Sequence, residues 1–165
     1  MLQSNIAGYE IRTATESDTA TILSFIKKLA EYEKLSHEVA ATEALLCETL
    51  FGPRRTAEVA VGTFEGAPVG FVLFFHNFST FLGRPGLYIE DLFVEESFRR
   101  RGFGGALLRY VAKLAVQRKC GRLEWSVLDW NQPAINFYKK LGAIPMEDWT
   151  VFRVTGENLQ NLGAA

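Results

Sequence analysis

The spacing of apolar residues predicts several helices along the chain. Isoleucine, leucine and alanine recur three or four positions apart between residues 22 and 30, so one face of that helix is expected to be buried. A capping-box pattern over residues 15–18 supplies its start signal. Shorter helices are predicted over residues 42–50 and from Pro133 to about Leu141, and a long amphipathic helix over residues 104–119.

Between and after these helices the period changes to that of strands. Two apolar runs flank Glu65-Gly66, which is a hairpin signal. Strands are predicted over residues 9–13, 58–64, 69–77, 87–94, 122–128 and 151–154. The resulting order, βααβββαβαβ, indicates an α/β fold with a mixed central β-sheet flanked by helices. No linker or repeat divides the chain, so residues 1–165 are predicted to form a single domain.

Composition and charge exclude several classes of protein. With 48% hydrophobic and 22% charged residues the chain has the balance of a globular domain rather than of a disordered one. Its net charge of −1 provides no general attraction to nucleic acid or to an anionic membrane surface. The longest apolar run, residues 69–75, is too short to span a bilayer, and residues 1–10 lack the pattern of a signal peptide. We expect a cytoplasmic protein with neither nucleic acid nor membrane as a partner.

The cysteine and histidine residues indicate no metal site. Cys47, Cys120, His37 and His76 lie far apart in the sequence, whereas a zinc site needs about four clustered ligands. No metal is therefore expected, and both thiols are expected to be reduced.

The sharpest chemical signal lies between residues 90 and 106. The predicted strand ends in Glu-Asp-Leu-Phe-Val at residues 90–94, and residues 98–106 read Phe-Arg-Arg-Arg-Gly-Phe-Gly-Gly-Ala. Glycines let backbone N–H groups turn inward, and the N-terminus of the following helix carries a partial positive charge. Arginines can add charge-assisted hydrogen bonds. The segment therefore predicts a cradle for the pyrophosphate of a cofactor.

Three kinds of phosphate loop compete for this segment. A P-loop requires a lysine after its glycines, which is absent here, and a dinucleotide fingerprint would require glycine at Leu107. A solvated basic turn that caps a helix is the interpretation without a ligand. The pattern Arg-x-x-Gly-x-Gly over residues 99–104 instead resembles the acyl-CoA loop of the GNAT superfamily of N-acetyltransferases.

Downstream residues extend this resemblance. Residues 130–138, Trp-Asn-Gln-Pro-Ala-Ile-Asn-Phe-Tyr, followed by Leu141-Gly142, are similar to the second signature of that superfamily. Residues 11–12, 29–33 and 88–92 resemble the spermidine/spermine (diamine) acetyltransferase branch. Residues 76–80 and 128–131 look closer to the thialysine acetyltransferases within it. The resemblance covers roughly residues 9–155.

The resemblance implies the GNAT fold, a homodimer and acetyl-CoA as cofactor, and it implies roles by position. Glu90 would be the general base and Tyr138 the general acid. The residues implied to hold coenzyme A are Leu92, Phe93, Val94, Arg99, Arg100, Arg101, Gly102, Phe103, Gly104, Gly105, Asn131, Ala134 and Tyr138. Those implied to line the amine site are Tyr32, Glu33, Glu90, Glu124, Trp125 and Ser126.

The residue types suit this chemistry independently of the resemblance. An ammonium group with a pKa near 10 must lose a proton before it can act as a nucleophile, and a carboxylate can take that proton. Strand alternation places Glu90 on the face of Tyr88 and Leu92, and Asp91 on the other face. Only one of the two acids is therefore expected to face the cleft, and Glu90 is the candidate. The competing interpretations are a surface carboxylate at Glu90 and a half-buried packing aromatic at Tyr138.

These observations predict an enzyme that transfers acetyl from acetyl-CoA to a primary amine of a small molecule, of thialysine, diamine or polyamine type. Direct attack in a ternary complex is expected, because no well-placed Cys or Ser nucleophile lies near the loop. Two alternatives stay open. A peptide or protein amine would need an open groove beside Glu90, and a non-enzymatic acyl-CoA sensor would bind the cofactor without turnover.

Overall fold

The structure is a computed structural model that describes residues 2–3 and 6–164. Within these residues six strands form one sheet, in the order β1-β2-β3-β4-β5-β6. Neighbouring strands are antiparallel except for the last pair, β5 and β6, which is parallel. The strands are β1 (Leu2–Gln3), β2 (Tyr9–Thr13), β3 (Glu58–Phe64), β4 (Ala67–Ser79), β5 (Arg84–Val94) and β6 (Leu123–Trp125).

Contacts divide the chain into two compact units, Met1–Ser126 and Val127–Ala165. The first unit contains the sheet and three of the helices, and the second contains the remaining two. The helices are α1 (Thr19–Tyr32), α2 (Glu43–Phe51), α3 (Phe103–Gln117), α4 (Gln132–Lys140) and α5 (Gly156–Gly163). Single 3₁₀ turns lie at Glu16–Asp18, Ser36–Glu38 and Glu96–Phe98.

Most of the predicted elements are confirmed, and the α/β class with them. The strands predicted at residues 9–13 and 58–64 agree to the residue with β2 and β3. β4 and β5 are longer than predicted, because their hairpin turns at residues 80–83 rather than at 83–86. The capping box is also confirmed, since the backbone N–H of Thr15 donates to Asp18 Oδ2 at 2.8 Å.

The predicted last strand, at residues 151–154, is wrong. No strand forms there in the described part of the chain, and the side chains of Val151 and Phe152 are exposed. Residues 151–155 are irregular, and α5 follows at Gly156–Gly163, a helix that the apolar pattern did not predict. A run of β-branched and aromatic residues becomes a strand only where a neighbouring strand and a packing surface receive it. The predicted order is therefore wrong at its end, and the two-residue β1 adds a strand at its beginning.

The core of the first unit has two layers of side chains, one on each face of the sheet. On one face, Ile22 and Phe25 of α1 pack against Phe71 and Phe93 of the sheet. On the other face, the ring of Phe103 at the start of α3 stacks on Tyr9, with ring centroids 4.0 Å apart. The two faces follow from the alternation of side chains along each strand. The start of α3 is thus anchored in the core beside the end of β5.

Candidate functional site

A fork between β5 and β6 opens the sheet in the first unit. The two strands pair only where Leu87, Tyr88 and Ile89 face Leu123–Trp125. Beyond Ile89, no strand among the described residues pairs with the outer edge of β5. The hydroxyl groups of Tyr88 and Ser126 lie 2.5 Å apart at the fork. Apart from the carbonyl of Val94, which accepts from Arg99 Nε, the outward-facing backbone groups of residues 90–94 are therefore available to an extended ligand, which could add to this edge as a strand does.

The glycine and arginine loop follows the end of β5. Arg100 and Gly102 both have left-handed backbone conformations, with φ of 63° and 85°, and such a turn at Gly102 favours glycine. The first bond into α3 runs from the N–H of Ala106 to the carbonyl of Gly102, at 3.0 Å. The N–H groups of residues 103–105 therefore have no partner within the helix.

This helix start lies against the end of β5. A methyl group built on Gly104 would meet the side chains of Leu92 and Val94 at 3.7 and 3.8 Å. Open amides, a helix N-terminus and the neighbouring Arg100 and Arg101 are the donors that suit a pyrophosphate. The residues present thus fit the diphosphate of a coenzyme.

Two residues predicted to hold the coenzyme have their side chains in the core. Phe93 is 5% exposed and packs under α1, while Phe103 is 1% exposed and stacks on Tyr9. Only their backbone groups can reach a ligand. The prediction named the whole stretch, and the alternation along β5 together with the first turn of α3 turns these two rings inward.

Arg99 makes different contacts from the glycine and arginine loop as a whole. Its guanidinium carbon lies 4.6 Å from the centre of the Tyr32 ring, and its Nε donates to the carbonyl of Val94 at 3.1 Å. The side chain therefore joins the last residue of α1 to the last residue of β5.

A β-bulge interrupts β5 at the candidate base. Leu73 of β4 faces Asp91, but the next residue, Phe74, faces Ile89, so Glu90 is the extra residue. A bulge breaks the strict alternation of side chains on which the prediction relied. The face on which each side chain of β5 lies therefore follows from the residue of β4 with which it pairs.

The expectation that Asp91 and Tyr88 lie on opposite faces is wrong. The register pairs Tyr88 with Phe75 and Asp91 with Leu73. Since Leu73 and Phe75 are two apart on β4, both partners lie on the same face, the one covered by α1. Asp91 is therefore directed to the side of the sheet where Tyr32 and its neighbours end α1.

Asp91 lies in an unusual electrostatic environment. Burial, together with the neighbouring carboxylates of Glu90 and Glu33, raises its pKa to about 6. Burial also raises the pKa of Glu33, which caps the C-terminus of α1. In the described part of the chain neither the Asp91 nor the Glu33 carboxylate has a hydrogen-bond or ion-pair partner, and Glu90 is exposed. The site therefore concentrates negative charge without a cation to balance it.

Sequence reasoning missed Asp91 as a site residue. The available signal was the pair of adjacent acids, Glu90 and Asp91, at the end of the strand. The assumption of an unbroken strand selected Glu90 and placed Asp91 on the opposite face. The bulge is a one-residue insertion in β5 relative to β4. Its position depends on how the two strands pair, so the sequence of β5 alone does not predict it.

The triplet predicted to line the amine site lies on the far side of the fork. Glu124 accepts a hydrogen bond from Asn77 Nδ2 at 2.7 Å and pairs with Arg122 Nε at 2.8 Å. Its negative charge is thus already compensated, whereas those of Glu33 and Asp91 are not. Trp125 is half-buried opposite Ile89, and Ser126 contacts Tyr88.

The second unit carries the remaining predicted residues. Asn131 caps α4, with its side-chain oxygen accepting from the N–H of Ala134 at 3.3 Å. Pro133 occupies the first turn of α4, as the sequence predicted. Tyr138 is half-buried on the same helix, next to the more exposed Phe137.

Cys47 and Cys120 are free thiols. Across residues 2–3 and 6–164, no three His, Cys, Asp or Glu side chains are grouped closely enough to hold a metal ion. No helix in that same part of the chain is long and apolar enough to cross a membrane.

Comparison with known proteins gives one consistent family. The model of the acetyltransferase (GNAT) family matches residues 23–143. An L-ornithine N5-acetyltransferase of Arabidopsis thaliana is 37% identical over 91% of this chain and 86% of its own length. A thialysine N-epsilon-acetyltransferase of Mus musculus is also 37% identical, over 95% of this chain and 98% of its own. An integron cassette protein from the mobile metagenome of V. cholerae superimposes with a TM-score of 0.80 at 25% identity, covering 96% and 99% of the two chains.

Proposed function

Since this chain belongs to the GNAT family of acetyltransferases and is an N-acetyltransferase, we propose that its acceptor is the primary amine of a small molecule such as thialysine, ornithine or another diamine. The observation that carries the proposal is the uncompensated negative charge of Glu33 and Asp91 beside the fork. The family and these relatives favour an enzyme over a sensor without turnover. We also propose that residues 1–165 act as one acetyltransferase domain, because the family match spans parts of both units.

The first unit offers the contacts that a coenzyme needs. We propose that the open edge of β5 at Leu92 and Val94 receives the pantetheine arm, and that the amides of residues 103–105 hold the pyrophosphate together with Arg100 and Arg101. We also propose that Asn131 and Ala134 contact the bound coenzyme. When bound, acetyl-CoA supplies an acetyl thioester that an amine can attack directly.

The acids would bind the acceptor and remove its proton. A substrate ammonium bound at Glu33 and Asp91 would relieve the repulsion between these carboxylates. Glu90 is exposed at the bulge, so it can accept the proton and exchange it with solvent. Tyr138 would donate a proton to the departing thiolate. Because a thiolate is a fairly good leaving group, with a thiol pKa of about 8.5, this last step assists the reaction without dominating it.

Release of free thiol from acetyl-CoA by the purified protein tests this proposal. Thialysine, lysine, ornithine, spermidine and putrescine are offered separately, and a lysine-containing peptide represents the alternative acceptor. We expect turnover with at least one small diamine and a loss of about 10²–10⁴-fold in both Glu90→Gln and Tyr138→Phe. Turnover with the peptide alone, or coenzyme binding without turnover on any amine, would contradict the proposal.

We further propose a cytoplasmic homodimer. The two free thiols suit a reducing compartment. Large apolar side chains are exposed in the second unit, among them Trp149 at 72% and Phe152 at 91%, and a second copy would cover such groups. Light scattering during size-exclusion chromatography should give twice the mass of the chain. A monomer across the working concentration range would exclude the dimer.

A further inference from the structure

We propose that Arg99 is a positioning residue that ties the coenzyme loop to the amine-binding end of α1, and so sets the affinity for the amine rather than for the coenzyme. The inference rests on the proposed function. It concerns a residue for which the sequence predicted only a contact with the coenzyme.

The contacts of Arg99 differ in kind from those of Arg101, two residues later. Arg101 lies over the rings of Phe64 and Phe98, at 5.6 and 5.3 Å, away from α1. Arg99 lies over Tyr32 at 4.6 Å and over Phe93 at 5.8 Å. A guanidinium held over an aromatic face gains from the ring quadrupole and from stacking, which a lysine ammonium reproduces only in part.

The hydrogen bonds of Arg99 fix the other end of the link. Its Nε donates to the carbonyl of Val94, and its backbone N–H donates to the carbonyl of Glu96 at 3.2 Å. Arg99 is thus bound to the end of β5 and to the turn that opens the loop. Its guanidinium also contacts the Tyr32 ring. The end of α1 is therefore held in place relative to the end of β5 and to this turn.

Tyr32 immediately precedes Glu33, one of the two uncompensated acids. The Glu33 carboxylate is one of the two that raise the pKa of Asp91, so the end of α1 and the end of β5 bring like charges near each other. Arg99 forms no ion pair with either acid among the described residues. It therefore holds the acids together through the neighbouring ring, and leaves both carboxylates for the ammonium.

A second contact between α1 and the same region supplies a matched control. Lys28, one helical turn before Tyr32, forms an ion pair with Glu95, which directly follows β5. Replacing Lys28 by Met also removes a bond between α1 and this region, but at a residue that does not adjoin Glu33. If any loosening of α1 had the same effect, Lys28→Met and Arg99→Leu would behave alike.

The test uses the full-length protein and its best small amine. KM for the amine and for acetyl-CoA are measured for Arg99→Leu, Arg99→Lys, Tyr32→Leu, Tyr32→Phe and Lys28→Met. Binding of coenzyme A is followed separately by calorimetry. We expect Arg99→Leu and Tyr32→Leu to raise the amine KM by about 5- to 10-fold, with the coenzyme affinity within about 2-fold. Tyr32→Phe separates the contribution of the hydroxyl from that of the ring, and Lys28→Met should keep the amine KM within about 2-fold.

The double variant Arg99→Leu/Tyr32→Leu should be no worse than either single change, because both remove one link. Additive losses would overturn the inference, as would a weakened affinity for coenzyme A in Arg99→Leu with the amine KM unchanged. Should the leucine variants fail to fold, Arg99→Lys and Lys28→Met decide the question, since only Arg99→Lys disturbs the stack. A raised amine KM in Arg99→Lys alone supports the inference, and equal values in the two variants overturn it. Wild-type turnover tests the proposed function separately, and its absence with every amine would overturn both.

Discussion

Two aspartates of the first unit show how the same side chain is used in opposite ways. Asp18 receives two hydrogen bonds from the Arg12 guanidinium, both at 2.7 Å, and another from the N–H of Thr15. The Arg12 guanidinium lowers the pKa of Asp18 to about 2. Asp91 receives no such bond from the described residues, and burial with two further acids raises its pKa to about 6. The fold satisfies one charge at the start of a helix and leaves the other without a cationic partner among the described residues.

The two shifts act on stability with opposite signs. The lowered pKa of Asp18 means that its pairing stabilises the fold above the ordinary aspartate pKa, and this contribution is lost as the pH falls towards 2. The raised pKa of Asp91 means that the folded protein binds the proton more tightly than the unfolded chain. Ionising Asp91 therefore costs stability, and the cost grows from about pH 4 to pH 6 and stays constant above.

Exchanging each aspartate for asparagine in activity assays gives the largest contrast. Asp91→Asn should lower kcat/KM for the amine by about 10- to 100-fold, because a charge-assisted contact to the ammonium is lost. Asp18→Asn, measured at a temperature where it remains folded, should keep kcat/KM within about 2-fold. Equal losses in the two variants would contradict the assignment of the amine site to Asp91.

Stability should show the reverse of activity, with Asp18→Asn as the impaired variant. Urea unfolding at pH 7 is expected to give a loss of about 2 to 3 kcal/mol in the free energy of unfolding, the size implied by the lowered pKa of Asp18. Repeating the measurement near pH 3 should shrink the difference. A loss that does not depend on pH would point to packing at the start of α1 rather than to the ion pair.

Asp91→Asn should be more stable than the wild type at neutral pH. The removed carboxylate has no cationic partner in the described structure, so we expect a gain of about 1 to 3 kcal/mol at pH 8, which disappears below pH 4. The same urea series measures it. A variant that gains nothing at pH 8 would mean that the charge of Asp91 is compensated in the free protein.

The pH profile of kcat/KM for Glu33→Gln should show the smallest of these effects. Removing one of the neighbouring carboxylates lowers the pKa of Asp91, so the acidic limb of the kcat/KM profile should move to lower pH. The shift should be less than about one pH unit, because burial is the larger cause and is unchanged. Glu38→Gln, on the exposed 3₁₀ turn beyond α1, is the control and should leave the limb in place.

The contrast between the two aspartates also shows what the sequence could predict. The Asp18 site follows from residues adjacent in the chain, and a capping box has a local signature over residues 15–18. The loop over residues 99–104 could also be predicted from the local sequence, because a group of glycines directly before a helix has few explanations other than a ligand loop. Asp91 depends on a bulge set by the register of β4 against β5, which local patterns do not encode.

The prediction of a strand at residues 151–154 was wrong for a related reason. Residues 151–154 have the composition of a strand, and only the absence of a pairing strand in the described structure leaves them irregular. The helices α1 and α3 were predictable because an apolar stripe of period 3.6 identifies both the element and its buried face.

The titration of Asp91 tests the central claim most directly. The carboxyl carbon can be followed by NMR in protein labelled at aspartate and assigned with Asp91→Asn, with coenzyme A bound and the acceptor amine either absent or saturating. The account predicts a pKa of about 6 without the amine, and a fall towards the ordinary value when the ammonium binds. A pKa that is the same with and without the amine would show that the acceptor binds elsewhere.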